Sequence, residues 1–447
     1  MITTPLCDFI DRYEKANPTR LHMPGHKGTG PLGVESRDIT EITGADSLYE
    51  ATGILRESEQ NAGALFSAHT FYSTEGSSLC VRAMIRLLQQ YAVSTNRAPL
   101  LLAGRNAHKS FVGAAALMGI DVAWLFPEQH ESYLSCSVTP ERLEDYFSQA
   151  SPLPLAVYIT SPDYLGNTAD IAALAAVCHA YGVLLAVDNA HGAYLKFLPQ
   201  SQHPMDLGAD ICCDSAHKTL PVLTGGAYLH VAHTAPPMLA SHAKTALSLF
   251  GTTSPSYVIL QSLDAANPLL AGNYRETLCD FIKQTAELKQ TLKQHGYTLC
   301  GNEPLKLTLM PKSYGYSGTE LAAYLENKGL ICEFADPDFV VCMVTPATGT
   351  TGLLRLKEQL LALPPKSPIT QAPPQFAAPQ PVLPLQKALF AATETIPAAE
   401  SVGRILADIT VGCPPAVPLI VCGERITPAI AASFEYYGIQ TCTVVAE

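Results

Sequence analysis

The stretch Asp206-Leu-Gly-Ala-Asp-Ile-Cys-Cys-Asp-Ser-Ala-His-Lys-Thr-Leu-Pro-Val-Leu-Thr-Gly-Gly-Ala-Tyr-Leu-His-Val231 decides how this chain is read. A short apolar run, Ile211 to Cys213, ends in Asp214-Ser-Ala-His-Lys218, and a second apolar run follows Gly225-Gly226. The pattern predicts strand, tight polar turn, strand. The turn gathers a hydroxyl, an imidazole and an amine, the set that a lysine Schiff base to pyridoxal phosphate (PLP) needs around it. Lysines that follow strands are mostly solvated surface groups, so the turn alone leaves both readings open. Thirty residues upstream, Gly182-Val-Leu-Leu-Ala-Val-Asp188 is a buried-strand pattern ending in a carboxylate, the expected partner for a pyridinium nitrogen.

Outward from this stretch, strand and helix signals alternate from about residue 61. His69 to Ser73 predicts a strand, Thr74-Glu-Gly-Ser-Ser78 a loop, and Leu79 to Tyr91 a helix with apolar residues at helical spacing. Ser77 and Ser78 then fall at a helix N-terminus, where free N–H groups and the dipole favour a phosphate. An ordinary serine cap explains them equally well. The unit repeats with a strand from Pro99 to Ala103, a loop holding His108, and a helix from Phe111 to Met118. His108 is either an exposed loop side chain or a cover for a bound ring.

Leu155 to Thr160 is a further strand, followed by an Ala/Leu-rich helix from Ile171 to Tyr181 and the strand that ends at Asp188. Ser77 and Ser78, His108, Asp188 and Lys218 thus each follow a different strand. Ligands of open α/β sheets bind beyond the carboxyl ends of the strands, so this recurrence outweighs any single motif. No G-x-x-x-x-G-K-[ST] pattern occurs, which argues against nucleoside triphosphate binding.

With 447 residues the chain can build a large core and two or three domains. Hydrophobic residues make up 47% and charged residues 15%, the balance of a well-buried globular protein. The 28 basic residues face 40 acidic ones, a net charge of −12, so nucleic acid and anionic membrane are not expected partners. No run of 18 apolar residues occurs and the first residues lack signal-peptide character, which places the protein in the cytoplasm. Thirteen cysteines, without a C-x-x-C pair and mostly inside apolar runs, read as reduced core residues. His22 and His26 are four apart, but Pro24-Gly25 breaks any helix that would set them on one face, so no metal is expected.

Residues 1–60 are rich in turn formers and read as an N-terminal arm; residues 61–260 read as a large PLP-binding domain. A turn leads into a helix between Thr252 and Asn267, Glu276 to Gln294 is a long amphipathic helix, and 261–363 are assigned to a small α/β domain. Eight of the 34 prolines fall in 364–384, a semi-rigid linker. The last segment, 385–447, predicts a helix over about 386–409, then Pro414-Pro-Ala-Val-Pro-Leu-Ile-Val-Cys-Gly-Glu424.

These motifs, in this order, resemble the Orn/Lys/Arg decarboxylase family of PLP enzymes, in the compact form without an N-terminal wing domain. The resemblance runs through His22-Met-Pro-Gly-His-Lys27, Asp38-Ile-Thr-Glu41, the Ser77/Ser78 loop, Arg105-Asn-Ala-His-Lys-Ser110, Asp188-Asn-Ala-His-Gly192, Ser215-Ala-His-Lys218, Thr253-Ser-Pro-Ser-Tyr257 and the proline-rich run before Gly423-Glu424. It implies a fold-type-I (aspartate aminotransferase-like) α/β large domain with a mixed, mostly parallel sheet, and a small C-terminal α+β domain. It implies decarboxylation of lysine, arginine or ornithine to an amine and CO2. Lys218 is the implied Schiff-base lysine and Asp188 the pyridine-nitrogen partner. Ser77, Ser78 and Ser215 would hold the phosphate, and His108 would stack on the ring. Ala190 and His191 would line the ring pocket, with His217 beside the substrate. A homodimer with shared sites is implied, with the arm around His26 and the Thr253/Ser254 turn serving the neighbouring subunit. Glu424 is either a contact for the distal cation of the substrate or a surface carboxylate.

The chain departs from the family pattern at Ala216, where a threonine is usual, at Gly225, where a glutamine is frequent, and at Ala416 and Cys422 in the terminal motifs. Another fold-type-I lyase or aminotransferase reaction, or a lapsed PLP-binding interaction protein, are the alternatives to a basic amino acid decarboxylase.

Overall fold

Runs of four or five buried residues set the strands, and the turn-forming residues between them set where each one stops. The computed structural model describes residues 2–129, 131–377, 379–411 and 416–447. Seven strands carry the first part of the chain: β1 (His69–Ser73), β2 (Leu100–Gly104), β3 (Asp121–Leu125), β4 (Ala156–Thr160), β5 (Leu184–Asp188), β6 (Ile211–Asp214) and β7 (Ala227–Val231). Four more follow: β8 (Thr298–Cys300), β9 (Lys306–Met310), β10 (Phe334–Ala335) and β11 (Val340–Met343). The chain divides into two compact units, Met1–Ala98 with Ile171–Thr277, and Pro99–Asp170 with Leu278–Glu447. Residues 61–260, expected as one domain, are therefore shared between the two.

The first unit holds β1, β7, β6 and β5 side by side in that order. β5 and β6 run parallel, with Asp188 opposite Cys213, so both end at the same edge. β7 runs against β6 and β1. All five residues of β5 and all four of β6 are buried, the near-continuous apolar pattern of strands covered on both faces. The Gly76–Thr95 helix packs a stripe of Leu79, Met84, Leu87 and Leu88 inward. It ends at Asn96, whose left-handed φ of 52° returns its N–H to the Ala92 carbonyl.

The arm is more regular than its composition suggests. It opens with a Pro5–Ala16 helix that buries Leu6 and Ile10, and the Ile54–Phe66 helix crosses the expected boundary at residue 60. Asp264 of the Tyr257–Ala271 helix accepts from the Cys7 N–H at 2.9 Å and the Ser58 hydroxyl at 2.5 Å, tying both arm helices to it. Leu6, Phe9, Ile10 and Tyr13 recur at helical spacing in this segment, so its periodicity is present in the sequence and is outweighed by the turn formers that surround it.

In the second unit β2 pairs in parallel with both β3 and β4. A separate antiparallel sheet follows in the order β10-β11-β9-β8. The C-terminal part packs Leu406, Ile420, Ile426, Ile430, Phe434 and Val444 into its own small core. The helix expected over about 386–409 is not formed: helix covers only Leu385–Leu389, and Thr393–Pro397 is a strand paired antiparallel with Thr441–Val445. Thr393, Thr395 and Ile396 are β-branched and Pro397 lacks an N–H, so the segment favours an edge strand once a partner is present. Of the expected Pro414-Pro415-Ala416 motif, only Ala416 lies among the described residues. No helix among those residues is long and apolar enough to cross a membrane.

Candidate active site

Asp188 closes β5 and Asp214 closes β6, so the residues after them emerge together at the carboxyl edge of the parallel pair. The chain leaves β6 through Ser215 into a single helical turn, Ala216–Thr219, which carries His217 and Lys218. Lys218 Nζ lies 2.8 Å from His191 Nε2. His217 is pinned twice to the Gly226 carbonyl, by its backbone N–H at 3.1 Å and its Nδ1 at 3.0 Å. A ring nitrogen facing a carbonyl must carry the proton, which leaves Nε2 of His217 as the acceptor.

Ser215 Oγ and Ser77 Oγ meet at 2.8 Å, so the loop after β1 and the turn after β6 share one hydroxyl pair. Gly76 donates its N–H to the Gly225 carbonyl at 2.7 Å, fastening the same loop to the segment before β7. Gly225 has φ +99°, and a Cβ there would lie 2.6 Å from the Thr74 carbonyl oxygen. The departure from the family's glutamine at this position is therefore built into the backbone. The Gly76–Thr95 helix has no side-chain cap, so Ser77 does not act as the ordinary N-cap that remained open from sequence. Its first-turn N–H groups sit beside the hydroxyl pair, the arrangement that accepts a phosphate.

Asp188 is 3% exposed and accepts from the Ala190 N–H at 3.2 Å. Behind it lies a network that sequence reasoning missed. Asn189 Nδ2 donates to Asp214 Oδ1 at 2.6 Å, while Asp214 Oδ2 faces His203 Nε2 at 2.9 Å and His230 Nε2 at 3.2 Å. All three of His203, Asp214 and His230 are wholly buried. Burial opposes the charge on Asp214, but the two imidazoles outweigh it and hold the carboxyl well below its usual range. Two histidines and a carboxylate this close could hold a metal ion. His203 Nδ1, however, accepts from the Met205 N–H at 3.3 Å, which assigns its proton to Nε2 and makes it a donor to Asp214. Asp214 stands in the decisive stretch itself; His203 carries no signal in its surroundings.

Two expected site residues belong to the second unit. His108 caps the Lys109–Met118 helix, its Nδ1 accepting from the Ser110 N–H at 3.1 Å. Glu424, expected as a substrate contact or a surface carboxylate, is 4% exposed and engaged: Oε2 accepts from Arg105 at 2.9 Å and from the Val421 N–H at 2.8 Å. The cation it holds is the chain's own guanidinium, which a Trp124 ring covers at 5.1 Å. His26 is likewise paired inside the arm, with Nε2 3.2 Å from Asp38 Oδ2. The arm run Gly28-Thr-Gly-Pro-Leu-Gly33 spells G-x-G-x-x-G, yet no strand leads into it and no helix leaves it, so it lacks the context of a dinucleotide site.

The fold is α/β of the fold-type-I class, and a lysine, an aspartate and a serine pair gather where its strands end. The structure superposes on lysine decarboxylase A from Pseudomonas aeruginosa with a TM-score of 0.81 and 18% identity, over 99% of this chain and 80% of that one. The chain belongs to the Orn/Lys/Arg decarboxylase family: residues 4–302 match its major domain. It is 29% identical to the uncharacterized protein YaaO of Bacillus subtilis, over 95% of this chain and 92% of that protein. It is 28% identical to the arginine decarboxylase of the same organism, over 95% and 91%.

Proposed function

We propose that this protein is a PLP-dependent decarboxylase of a basic amino acid, with arginine the first substrate to test because several similar proteins are named arginine decarboxylases. The observation that carries the reading is the placement of Lys218, Asp188 and the Ser77–Ser215 pair around one strand edge. The residues fit the cofactor: an uncapped helix N-terminus beside two hydroxyls suits its phosphate, a buried carboxylate suits its ring nitrogen, and a lysine lies close by. Bound PLP supplies the electron sink for the pair left behind as CO2 departs.

The chain's own residues have the following work. Lys218 anchors the cofactor covalently, and His191 Nε2, 2.8 Å away, holds its Nζ in place at the strand edge. Asp188, oriented by the Ala190 N–H, keeps the ring nitrogen protonated. Ser77, Ser78 and Ser215 hold the phosphate, and Ala190 and His191 line the ring. His217, fixed to the Gly226 carbonyl, offers Nε2 to orient the substrate or move a proton at its Cα. His108 is assigned the stacking role on the family resemblance. Glu424 is assigned the pairing with Arg105.

The active unit proposed is a homodimer. The arm leaves Leu21 at 91%, Met23 at 63% and Leu32 at 81% exposure, large apolar groups suited to cover by a second copy.

The test is release of CO2 from arginine, lysine and ornithine by PLP-treated protein, followed by borohydride reduction and peptide mapping. CO2 from at least one substrate and a pyridoxyl adduct on Lys218 are expected. An adduct on another lysine, or no release from any of the three, overturns the reading.

A further inference from the structure

The segment Cys332-Glu-Phe-Ala-Asp-Pro-Asp-Phe-Val-Val-Cys342 folds back on itself as a hairpin within the second unit. Asp336 makes the turn. Its Oδ1 accepts from the N–H groups of Asp338 at 2.8 Å and Phe339 at 2.7 Å, and its own N–H donates to the Phe339 carbonyl at 3.1 Å. A side chain that accepts from the N–H two residues on closes a tight turn, and Pro337 fixes φ inside it. β10 and β11 then pair with Phe334 opposite Val341 and Ala335 opposite Val340. The Glu333 N–H reaches the Val341 carbonyl at 2.9 Å, which carries the pairing one residue past β10. Beyond it two thiols meet: Cys342 Sγ donates to Cys332 Sγ at 3.7 Å. Among the described residues no other two thiols share a hydrogen bond.

The two sulfurs are not equivalent. Cys342 is 8% exposed, whereas Cys332 is half-buried and open to solvent on one side. The donated S–H holds the Cys332 thiol below its usual range, against burial and the Glu326 carboxylate, while the Cys342 thiol that supplies the proton is pushed up. The half-buried Cys7, Cys136 and Cys300 are instead pushed up by burial, to about 12, about 11 and about 12. The thiolate is the nucleophile, so of these four it is Cys332 that is armed, with a second sulfur already in contact.

We propose that Cys332 and Cys342 are an oxidation site at which a hydroperoxide forms a reversible intramolecular disulfide. Cys332 attacks one peroxide oxygen, the O–O bond breaks, and the other oxygen leaves as water or an alcohol with the proton of the Cys332 thiol. Cys332 is then a sulfenic acid, and the anion that suppressed ionisation of Cys342 is gone. Cys342 attacks the oxidised sulfur: the S–S bond forms, the S–O bond breaks, and water leaves with the Cys342 proton. Two electrons pass from the thiols to the peroxide, and a dithiol reductant restores both thiols by exchange. The gap from contact to the about 2.0 Å of a disulfide is closed by rotation of the half-exposed Cys332 side chain.

Trypsin cuts after Lys328 and Arg355, so both cysteines fall in one peptide, residues 329–355, which holds no other cysteine. The full chain is treated with hydrogen peroxide in graded excess, blocked with iodoacetamide, digested and weighed, beside Cys342→Ala oxidised with dimedone present. Expected is a peptide two hydrogen masses lighter that takes up no iodoacetamide, with both alkylation sites restored by dithiothreitol. In Cys342→Ala the dimedone adduct on Cys332 should rise at least about tenfold over wild type, because the sulfur that consumes the sulfenic acid is missing. Circular dichroism checks the fold of the variant, and the wild-type masses stand without it. Peptide 329–355 alkylated at both cysteines after peroxide, Cys332 carried to a sulfinic acid while Cys342 is still alkylated, or a link from either cysteine to another peptide overturns the proposal. Equal dimedone labelling in the two folded proteins overturns it as well.

Discussion

Asn189 Nδ2 donates to Asp214 Oδ1 across 2.6 Å, linking the residue after β5 to the last residue of β6. Asp188 precedes the first of these residues and Ser215 follows the second. One buried carboxylate thus sets the spacing of two strand ends that carry proposed cofactor contacts, and His203 and His230 keep that carboxylate charged.

Asp214→Asn should therefore be costly. The carboxylate accepts on both oxygens, whereas an amide must turn its NH2 toward either the Asn189 amide or the two imidazoles. With charged hydrogen bonds worth about 1.5–3 kcal/mol each, a loss of about 2–4 kcal/mol is expected in urea unfolding. An unchanged unfolding midpoint would show that the network has no hold on the strand ends.

Asp188→Asn should leave the melting temperature nearly unchanged, because an amide oxygen still accepts from the Ala190 N–H. It cannot keep a ring nitrogen protonated, so kcat and kcat/KM should fall together by several powers of ten with little change in KM. Near-normal turnover in the folded variant would refute the role assigned to Asp188.

Glu424→Gln should act on stability rather than on KM. Removing this charge leaves Arg105 buried at 1% exposure without its carboxylate partner, a change expected to cost about 3–5 kcal/mol. Denaturant titration beside steady-state kinetics separates this from a substrate contact, for which KM alone would rise.

Gly225→Ala should strain the loop that holds Ser77. The position requires φ +99°, and the new methyl would press on the Thr74 carbonyl oxygen. A destabilisation of about 1–3 kcal/mol is expected, with faster loss of PLP on dialysis. Retention equal to wild type would detach this loop from cofactor binding.

The pH dependence of Asp336→Asn follows from the sign of its shift. Burial raises the folded-state carboxyl to about 6, above its unfolded value of 3.8, so the folded chain binds more protons between those values. Wild-type stability contributed by this group is present below the unfolded value and is lost as pH rises to about 6. The Asn variant lacks that slope and should be the more stable protein above about pH 6, by on the order of 3 kcal/mol, with the gap closing toward pH 4. A constant difference across this range would mean that Asp336 does not titrate as its burial requires.

Local pattern carried much of this protein. Alternating buried runs and helical periodicity identified β1, β5, β6 and the helices after β1 and β2, because those signals reside in a few consecutive residues. The positions of Asp188 and Lys218 at strand ends were legible for the same reason. What lay beyond the sequence depends on partners far along the chain. Thr393–Pro397 becomes a strand only because Thr441–Val445 lies against it. Glu424 looked available until Arg105, more than three hundred residues earlier, closed over it. His203, one residue among turn formers, gains its meaning from Asp214 and His230. Sequence proximity determines which backbone hydrogen bonds form first; burial and pairing of charges are settled between distant segments, and only tertiary structure brings those together.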